Sequence, residues 1–195
     1  MPEPSVAAVI LAAGLGSRFG AGPKMLAPYA GTPMVRRAAE AALASRARPV
    51  VAVLGAQAEA VRAALAGLDL TTVGNPDPAA GLSTSLRAGL AALPSGIQAA
   101  VVMLGDMPRI GSSHVDALIA AYAAVAPRPA AVVPVSGGRR GNPVLLDLGR
   151  LADDLARLGG DRGAGPILKG RGDVLEIEAD PGVLFDVDTP EALDG

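Results

Sequence analysis

The stretch that decides the fold is AAVILAAGLGSRFGAGPK, residues 7–24. Its first seven residues are apolar without interruption, and a short apolar run of this kind predicts a strand that is covered on both faces. Glycine then stands at positions 14, 16, 20 and 22, so the backbone after the strand is free to form a loop. Strand, loop and helix in this order form the opening unit of a parallel α/β sheet.

The same alternation continues along the chain. Four more apolar runs predict strands, at 49–55, 69–75, 99–106 and 130–136. Between them, stripes with helical spacing predict helices, and these stripes begin at Val35, Val61, Leu82 and Val115. We therefore expect one α/β domain over residues 1–195, with a mainly parallel, Rossmann-like sheet flanked by helices.

The chain from residue 137 onward is richer in glycine, and both periodicities weaken there. We expect loops to dominate this part. Loops at the carboxyl ends of parallel strands commonly bind ligands, so we also expect the substrate contacts in this part.

The composition restricts the chemistry. Half of the residues are hydrophobic and 18% are charged, which is typical of a folded chain rather than a disordered one. Seventeen Lys and Arg against 19 Asp and Glu give a net charge of −2, without the positive field that general nucleic-acid binding requires. There is no cysteine and only one histidine, which excludes thiolate chemistry and a histidine-rich metal site.

No apolar run approaches the ~18 residues that a membrane-spanning helix needs. The first residues also lack the basic start of a secretory signal. We therefore expect a soluble, cytoplasmic protein with no membrane or nucleic-acid partner.

The glycine-rich loop has the chemistry of a phosphate-binding site. Glycine lets backbone N–H groups approach phosphate oxygens closely, and Arg18 and Lys24 supply positive charge. An ordinary strand-to-helix turn explains the glycines equally well. Two common phosphate motifs do not match, because Met25 follows the lysine where a Walker loop needs Ser or Thr, and Gly20 comes one residue too late for a dinucleotide fingerprint.

Three carboxylates are candidates for a metal site near this loop. Asp106 follows the fourth apolar run, and Asp186 and Asp188 lie in FDVDTPE, residues 185–191. A carboxylate at the carboxyl edge of a sheet is suited to Mg²⁺ held between phosphates. The alternatives are that Asp106 caps the turn before a helix at 112 and that Asp188 is a helix N-cap, and the sequence pattern leaves both open.

Polar groups also cluster in NPDPAAGLSTSLR, residues 75–87. Hydroxyls and Gly81 stand here at a predicted helix N-terminus, a position suited to the base or ribose of a ligand. Capping of the helix by Ser83 or Thr84 is an equally good explanation.

The remaining charged candidates have ordinary explanations. Arg139 and Arg140 are interpreted as solvated loop charges, since exposed arginines are more often solvated than bound to a ligand. His114 stands beside a predicted helix start and is expected at the surface.

Taken in order, these segments resemble one family. The motifs are LAAGLGSRFG (11–20) with PK (23–24), NPDPAAGLSTSLRAGL (75–90), GDMP (105–108), GNPVLL (141–146), GDRGA (160–164) and DVDTPEAL (186–193). Their order is similar to that of the molybdenum cofactor nucleotidyltransferases, in particular the molybdopterin cytidylyltransferases, from about residue 6 to residue 193. Six motifs in one order are much more specific than any one of them.

The resemblance implies a fold of the nucleotide-diphospho-sugar transferase type. Its nucleotide-binding part spans about 6–136, and the part at 137–193 binds the acceptor and completes the metal site. The implied reaction transfers CMP from CTP to the phosphate of molybdopterin and releases pyrophosphate, with Mg²⁺ or Mn²⁺ as cofactor. A molybdoenzyme or its chaperone is the implied partner. Ala13 indicates CTP, because LAAG accompanies the cytidine enzymes of the family and LAGG the guanosine ones.

The resemblance also implies the site residues. The catalytic ones are Arg18, Lys24 and Asp106. The nucleotide-binding ones are Leu11, Ala12, Ala13, Gly14, Gly16, Arg18, Lys24, Asn75, Gly81, Ser83, Ser85 and Asp106. The metal ligands are Asp106 and Asp188, and the acceptor-binding residues are Asn142, Asp161 and Gly163. Gly165 departs from the family pattern, in which related sequences often carry Arg. If that Arg helps to bind the cofactor, the departure implies either a different acceptor or a specialised relative.

Three other functions are compatible with the same scaffold. A transferase for another phosphorylated acceptor, by guanylyl transfer or on a sugar phosphate, would keep the nucleotide half and change the loops after residue 136. An oxidoreductase would have to bind NAD(P)H without the dinucleotide fingerprint. A chaperone for the molybdenum cofactor would have no need of both carboxylate motifs and the basic loop.

Overall fold

The apolar run near the N-terminus forms strand β1, Val6–Ala12, and every residue of it is buried. The computed structural model describes residues 3–14, 19, 23–160 and 163–194. Ala8 and Ile10 of β1 belong to one hydrophobic cluster, whereas Val9 and Leu11 belong to another. Because alternate residues of a strand face opposite sides, β1 is covered on both faces, as its unbroken apolar sequence predicts.

The remaining strands surround β1. In chain order they are β2 (Pro28–Tyr29), β3 (Thr32–Pro33), β4 (Val50–Leu54), β5 (Thr71–Gly74), β6 (Ala99–Leu104), β7 (Ala131–Ser136), β8 (Arg139–Arg140), β9 (Val144–Asp147) and β10 (Val174–Glu178). The main sheet has the order β10-β7-β9-β6-β1-β4-β5, with β8 paired to β7. β1 is parallel to β4 and β6, while β9 is antiparallel to β6 and β7. The five strands and the mainly parallel sheet predicted from the sequence are confirmed.

Helices cover both faces of this sheet. They are α1 (Met34–Ala44), α2 (Ala58–Ala64), α3 (Leu82–Ala91), α4 (Ser112–Ala124), α5 (Ala152–Arg157) and α6 (Gly165–Leu168). Buried residues of α1, α2 and α4 join one cluster, and those of α3, α5 and α6 join the other. Within the described part of the chain, none of the helices has the length and apolar character that crossing a bilayer requires.

The apolar stripe that predicted α2 continues past the end of the helix. α2 ends at Ala64, and Leu65 is its C-cap. Gly67 then takes a left-handed φ of 81°, which turns the chain away from the helical path. Leu65 and Leu68 still pack in the core, so the stripe predicted burial correctly but not helix length.

The part after residue 136 contains short elements that the sequence does not predict, although most of its described residues lie outside α-helices and β-strands, as expected. β9, β10, α5 and α6 all lie there, and β9 is inserted between β6 and β7. These elements have four to six residues each. Elements this short are recognisable only within a continuing strand–helix alternation, and the glycines after residue 136 interrupt that alternation.

Gly89 lets α3 lie unusually close to the sheet. A Cβ atom at this position would fall 2.9 Å from Cγ2 of Val53 and even nearer to Cγ1 of Val9. The absence of a side chain therefore brings the α3 backbone down onto β1 and β4. This packing fixes the last turn of α3 against β1 and β4.

Candidate functional site

A cluster of three charged side chains, Lys24, Asp106 and Asp188, lies at the carboxyl edge of the sheet. The Nζ atom of Lys24 is 2.7 Å from Oδ2 of Asp106 and 2.8 Å from Oδ1 of Asp188. The Lys24 side chain is only 9% exposed, against 16% for Asp106 and 53% for Asp188. Segments that are far apart in the sequence thus meet at one ammonium group, which we call the charged cluster.

Lys24 and Asp106 are held together by the ends of β1 and β6. Lys24 begins a short 3-10 helix, Lys24–Leu26, in which Met25 is buried. A Cβ atom on Gly105 would lie 2.9 Å from the sulfur of Met25, so this glycine makes room for the helix. The Gly105 N–H donates a hydrogen bond of 3.0 Å to the carbonyl of Leu11, which ties the two strand ends together.

Asp188 is positioned by its neighbour Val187. Val187 is fully buried and forms a small hydrophobic cluster with Phe19 and Met34. The backbone N–H of Val187 also donates to the carbonyl of Asp106, at 3.0 Å. Burial of one valine therefore places the next side chain beside Asp106.

The charged cluster has more negative than positive charge. Burial disfavours the ammonium, but the hydrogen bonds and charges of Asp106 and Asp188 outweigh it, so the pKa of Lys24 lies above its usual 10.5 and the group stays protonated. One ammonium then faces two carboxylates. Desolvation, with repulsion from Asp188 and Asp106, also raises the pKa of the nearby Asp186.

The charged cluster fits the divalent metal that the resemblance implies. Oδ1 of Asp106 is buried and has no hydrogen-bond partner among the described groups, which is an unfavourable state for a carboxylate oxygen unless a cation completes it. In the described ranges no group of three or more Asp, Glu, His or Cys is arranged to hold a metal. Two carboxylates suffice for Mg²⁺ when phosphates and water supply the other ligands.

The structure removes the capping alternatives for Asp106 and for the residues before α3. The N-cap of α4 is Gly111, five residues beyond Asp106. The N-cap of α3 is Gly81, and no side chain caps that helix. Asp106, Ser83 and Thr84 are therefore not N-caps.

His114 is not the surface residue that the sequence suggests. Its side chain is only 14% exposed, because it is held on two sides at the start of α4. The N–H of Gly111 donates to Nδ1 at 3.1 Å, so Nε2 carries the proton and donates to Oδ2 of Asp180 at 2.8 Å.

The polar side chains at 75–85 are engaged with one another. The Asn75 amide donates to Oγ1 of Thr84 at 2.8 Å and to Oγ of Ser85 at 2.9 Å, and its oxygen accepts from the N–H of Asp77 at 3.0 Å. Ser83 is fully buried, and its hydroxyl has no partner among the described residues. These groups give the loop its shape, while the contacts of Asn75, Gly81, Ser83 and Ser85 with a base or ribose stay predictions.

The residues at the carboxyl end of β1 line a second, smaller space at the same edge of the sheet. Ala12, Ala13 and Gly14 line a small cavity of about 30 Å³ with Gly55 and Met25. Ala13 is 3% exposed and belongs to a hydrophobic cluster, so its methyl group is packed inside the protein. The predicted site residues Gly16, Arg18 and Asp161 lie outside the described residues.

A larger cavity of about 290 Å³ lies between α3, α6 and the sheet, and we call it the aliphatic cavity. Asn142 and Gly163, both predicted to bind the acceptor, line it together with Arg140, Gly141 and Gly165. The rest of its wall is aliphatic and consists of Leu11, Leu82, Leu86, Val102, Leu104, Val133, Val144, Ala164 and Leu168. Its volume is near the lower end of the ~300–1,000 Å³ typical of small-molecule sites.

Sequence reasoning missed most of this wall. Leu82 and Leu86 have helical spacing and look like ordinary core residues. Arg140 is exposed but is not merely solvated, since its guanidinium donates to Oε1 of Glu176 at 2.7 Å and to the carbonyl of Leu168 at 3.2 Å. No motif marks a cavity whose lining has the same composition as the core.

Comparison with known proteins identifies the family. Residues 8–176 match the MobA-like NTP transferase domain, and the chain belongs to this family. Nicotine blue oxidoreductase from Paenarthrobacter nicotinovorans is 33% identical, and the alignment covers 97% of this chain and 95% of that protein.

Solved structures agree with this assignment. Rv0371c from Mycobacterium tuberculosis H37Rv is 30% identical with a TM-score of 0.85, over 99% of this chain and 97% of that one. The same protein is also known in complex with manganese, with a TM-score of 0.80, 30% identity and the same coverage of the two chains. Mth528, a nucleotidyl transferase from Methanothermobacter thermautotroptrophicus, shares the fold at 23% identity, with a TM-score of 0.82 over 96% of this chain and 94% of that one.

Proposed function

We propose that this MobA-like NTP transferase transfers a nucleoside monophosphate from a nucleoside triphosphate to a phosphorylated acceptor and releases pyrophosphate. The nucleotide that we assign is CTP, and the acceptor is molybdopterin, the phosphorylated pterin of the molybdenum cofactor. The observation that carries this proposal is the charged cluster, where Lys24 contacts Asp106 and Asp188 at the carboxyl edge of the sheet, next to the glycine-rich loop.

The reaction needs no nucleophile from the protein. An oxygen of the acceptor phosphate attacks the α-phosphorus of the nucleotide, the new P–O bond forms in line with the breaking bond to the β-phosphate, and pyrophosphate leaves. Catalysis then consists of positioning and charge neutralisation. Lys24, whose raised pKa keeps it protonated, neutralises the triphosphate together with Arg18.

Asp106 and Asp188 would hold a divalent cation beside the phosphates. Mg²⁺ or Mn²⁺ would supply positive charge to the phosphate oxygens when bound. The manganese complex of the relative Rv0371c supports the use of a divalent metal in this family. The buried Oδ1 of Asp106 is an oxygen that this chain leaves available for such a cation.

The aliphatic cavity is the best candidate for the body of the acceptor. Asn142 and Gly163 line it, and Leu104 in its wall is two residues before Asp106. An acceptor held there would have its phosphate toward the charged cluster. The polar groups of its ring system would lie toward Asn142 and Arg140, because the aliphatic wall offers them no hydrogen-bond partner.

The test is release of pyrophosphate from each of the four nucleoside triphosphates, with and without molybdopterin. We expect release that requires the acceptor and a divalent cation, is fastest with CTP, and disappears in Asp106→Asn. Preference for GTP would overturn the nucleotide assignment. If none of the four nucleoside triphosphates gave pyrophosphate under any condition, the proposal itself would be overturned.

A second candidate is an oxidoreductase. It is favoured by one observation: nicotine blue oxidoreductase aligns with nearly the whole chain. The sequence after β1 lacks the G-x-G-x-x-G spacing that dinucleotide binding usually uses. Spectrophotometric oxidation of NADH or NADPH, with heteroaromatic pigments as acceptors, separates the two functions directly.

A further inference from the structure

The ammonium of Lys24 stands where a divalent cation would have to bind. Its nitrogen lies 2.7 Å from Asp106 and 2.8 Å from Asp188, and these are the same two carboxylates that would ligate the metal. Mg²⁺ binds carboxylate oxygens at about 2.0–2.1 Å. An ammonium in this position repels a divalent cation between the same two carboxylates and therefore weakens its binding.

The ammonium compensates the charge and the hydrogen-bonding capacity of the two carboxylates only in part. It brings one ammonium to two carboxylates, and it leaves Oδ1 of Asp106 buried with no hydrogen-bond partner among the described residues. The Lys24 side chain is itself 9% exposed, so water screens the contact with Asp106 weakly. In the nucleotide-free protein, the space between the two carboxylates is thus occupied by a cation that belongs to the chain.

A polyphosphate is the ligand that would draw this ammonium away. Lysine carries a compact charge on a flexible four-carbon stem, so Nζ can move by rotation within the side chain. Lys24 also stands directly after the glycine-rich loop, where the triphosphate is proposed to bind. Movement of Nζ toward the phosphates would expose both carboxylates to a metal at the moment that the nucleotide arrives.

We propose that Lys24 is a resident counter-ion that keeps divalent cations out of the Asp106–Asp188 site until a nucleoside triphosphate draws it away. The inference rests on the proposed function for the identity of that ligand. Nucleotide and metal then bind with positive coupling, and each raises the affinity for the other by the same factor. Lys24 has two successive roles, first on the carboxylates and then on the phosphates.

The first experiment measures Mn²⁺ binding without nucleotide, from the EPR signal of free Mn²⁺. We expect Lys24→Met to bind Mn²⁺ on the order of tenfold more tightly than the wild type, because a nearby positive charge has been removed. Lys169→Met is the matched control, since Lys169 is exposed and lies at the end of α6, and it should bind Mn²⁺ like the wild type. Asp106→Asn combined with Lys24→Met should abolish the gain.

Lys24→Gln covers the case in which Lys24→Met does not fold. Glutamine keeps N–H donors for the two carboxylates but carries no charge, and it should show the same gain in Mn²⁺ affinity. Unchanged affinity in the folded variant, or a gain that persists when Asp106 is also replaced, would overturn the inference.

The second experiment compares the coupling between nucleotide and metal. Saturating CTP should raise Mn²⁺ affinity by a larger factor in the wild type than in Lys24→Met, and chelation by CTP itself contributes equally to both. Equal factors would show that Lys24 is not displaced by the nucleotide. None of these measurements uses turnover, so a failure to release pyrophosphate refutes the proposed function separately from the role of Lys24.

Discussion

The charged cluster at the carboxyl edge of the sheet and the aliphatic cavity between the sheet, α3 and α6 are built in opposite ways. The cluster consists of three charged side chains from three distant segments, and two distances of 2.7 and 2.8 Å define it. Most of the cavity wall belongs to the hydrophobic cluster that covers one face of the sheet. Under the proposed function, a few charges in fixed positions would act on the phosphates, whereas the shape of a space would select the body of the acceptor.

The largest effect should come from breaking the charged cluster while leaving the cavity intact. Asp106→Asn keeps the size of the side chain but removes one of the two negative charges. We expect the rate of pyrophosphate release to fall by about 10² or more, the scale of losing one preorganised electrostatic group. Circular dichroism should show an unchanged fold. Asp186→Asn is the control, because Asp186 lies nearby but makes no contact with Lys24 among those described; equal losses in both variants would contradict the assignment of Asp106.

The next effect tests the packing that forms the cavity wall. Gly89→Ala would place a methyl group against Val9 and Val53 and push α3 away from the sheet. We expect the free energy of unfolding, measured with urea, to fall by about 1–3 kcal/mol. Gly172→Ala, where an added Cβ has no atom within 4 Å, should leave stability nearly unchanged. An unchanged free energy of unfolding in Gly89→Ala would mean that α3 can move away from the sheet without loss of stability.

A smaller effect should come from narrowing the cavity while leaving the charged cluster intact. Gly165 lines the cavity, and an added Cβ there has no atom within 4 Å, so a side chain can start at this position without a clash at its first carbon. We expect Gly165→Leu to raise KM for the acceptor by roughly tenfold, in the range that a small change of apolar volume produces. KM for CTP should not change. Gly172→Leu is the control at a glycine outside the cavity, and an unchanged acceptor KM in Gly165→Leu would exclude the cavity as the acceptor site.

The smallest effect concerns Asp180, an exposed carboxylate that accepts hydrogen bonds from the His114 ring and from the N–H of Gly182. The N–H of Gly182 and the His114 ring hold the pKa of Asp180 below its usual 3.8. A lowered folded-state pKa stabilises the protein above the unfolded-state value, and this contribution is lost as the pH falls through the folded-state pKa. The wild type should therefore lose stability on acidification from about pH 5 downward more steeply than Asp180→Asn. Parallel curves of melting temperature against pH would show that Asp180 contributes nothing.

Local patterns account for the parts of the fold that the sequence predicted. The strands around β1 and the helices α1 to α4 were predictable because burial on one or two faces leaves a periodic trace within ten or so residues. β9 and α6 were not predicted, because each is a four-residue element in the glycine-rich part of the chain, where the alternation of strand and helix patterns is interrupted. The antiparallel position of β9 between β6 and β7 depends on which edges pair in space, and a short apolar run carries no such information.

For the candidate site, the sequence by itself determined the kinds of chemistry available. With no cysteine and one histidine, Lys24, Asp106 and Asp188 were candidates from residue type and from their positions after predicted strands or loops. Whether Asp106 is a helix cap or a site residue was undecided, since both uses need the same carboxylate. Only the tertiary structure shows Gly111 as the cap and the Lys24 ammonium between Asp106 and Asp188. It also forms the aliphatic cavity, because contacts between distant segments and the space left between them arise from packing, which has no signature in local sequence.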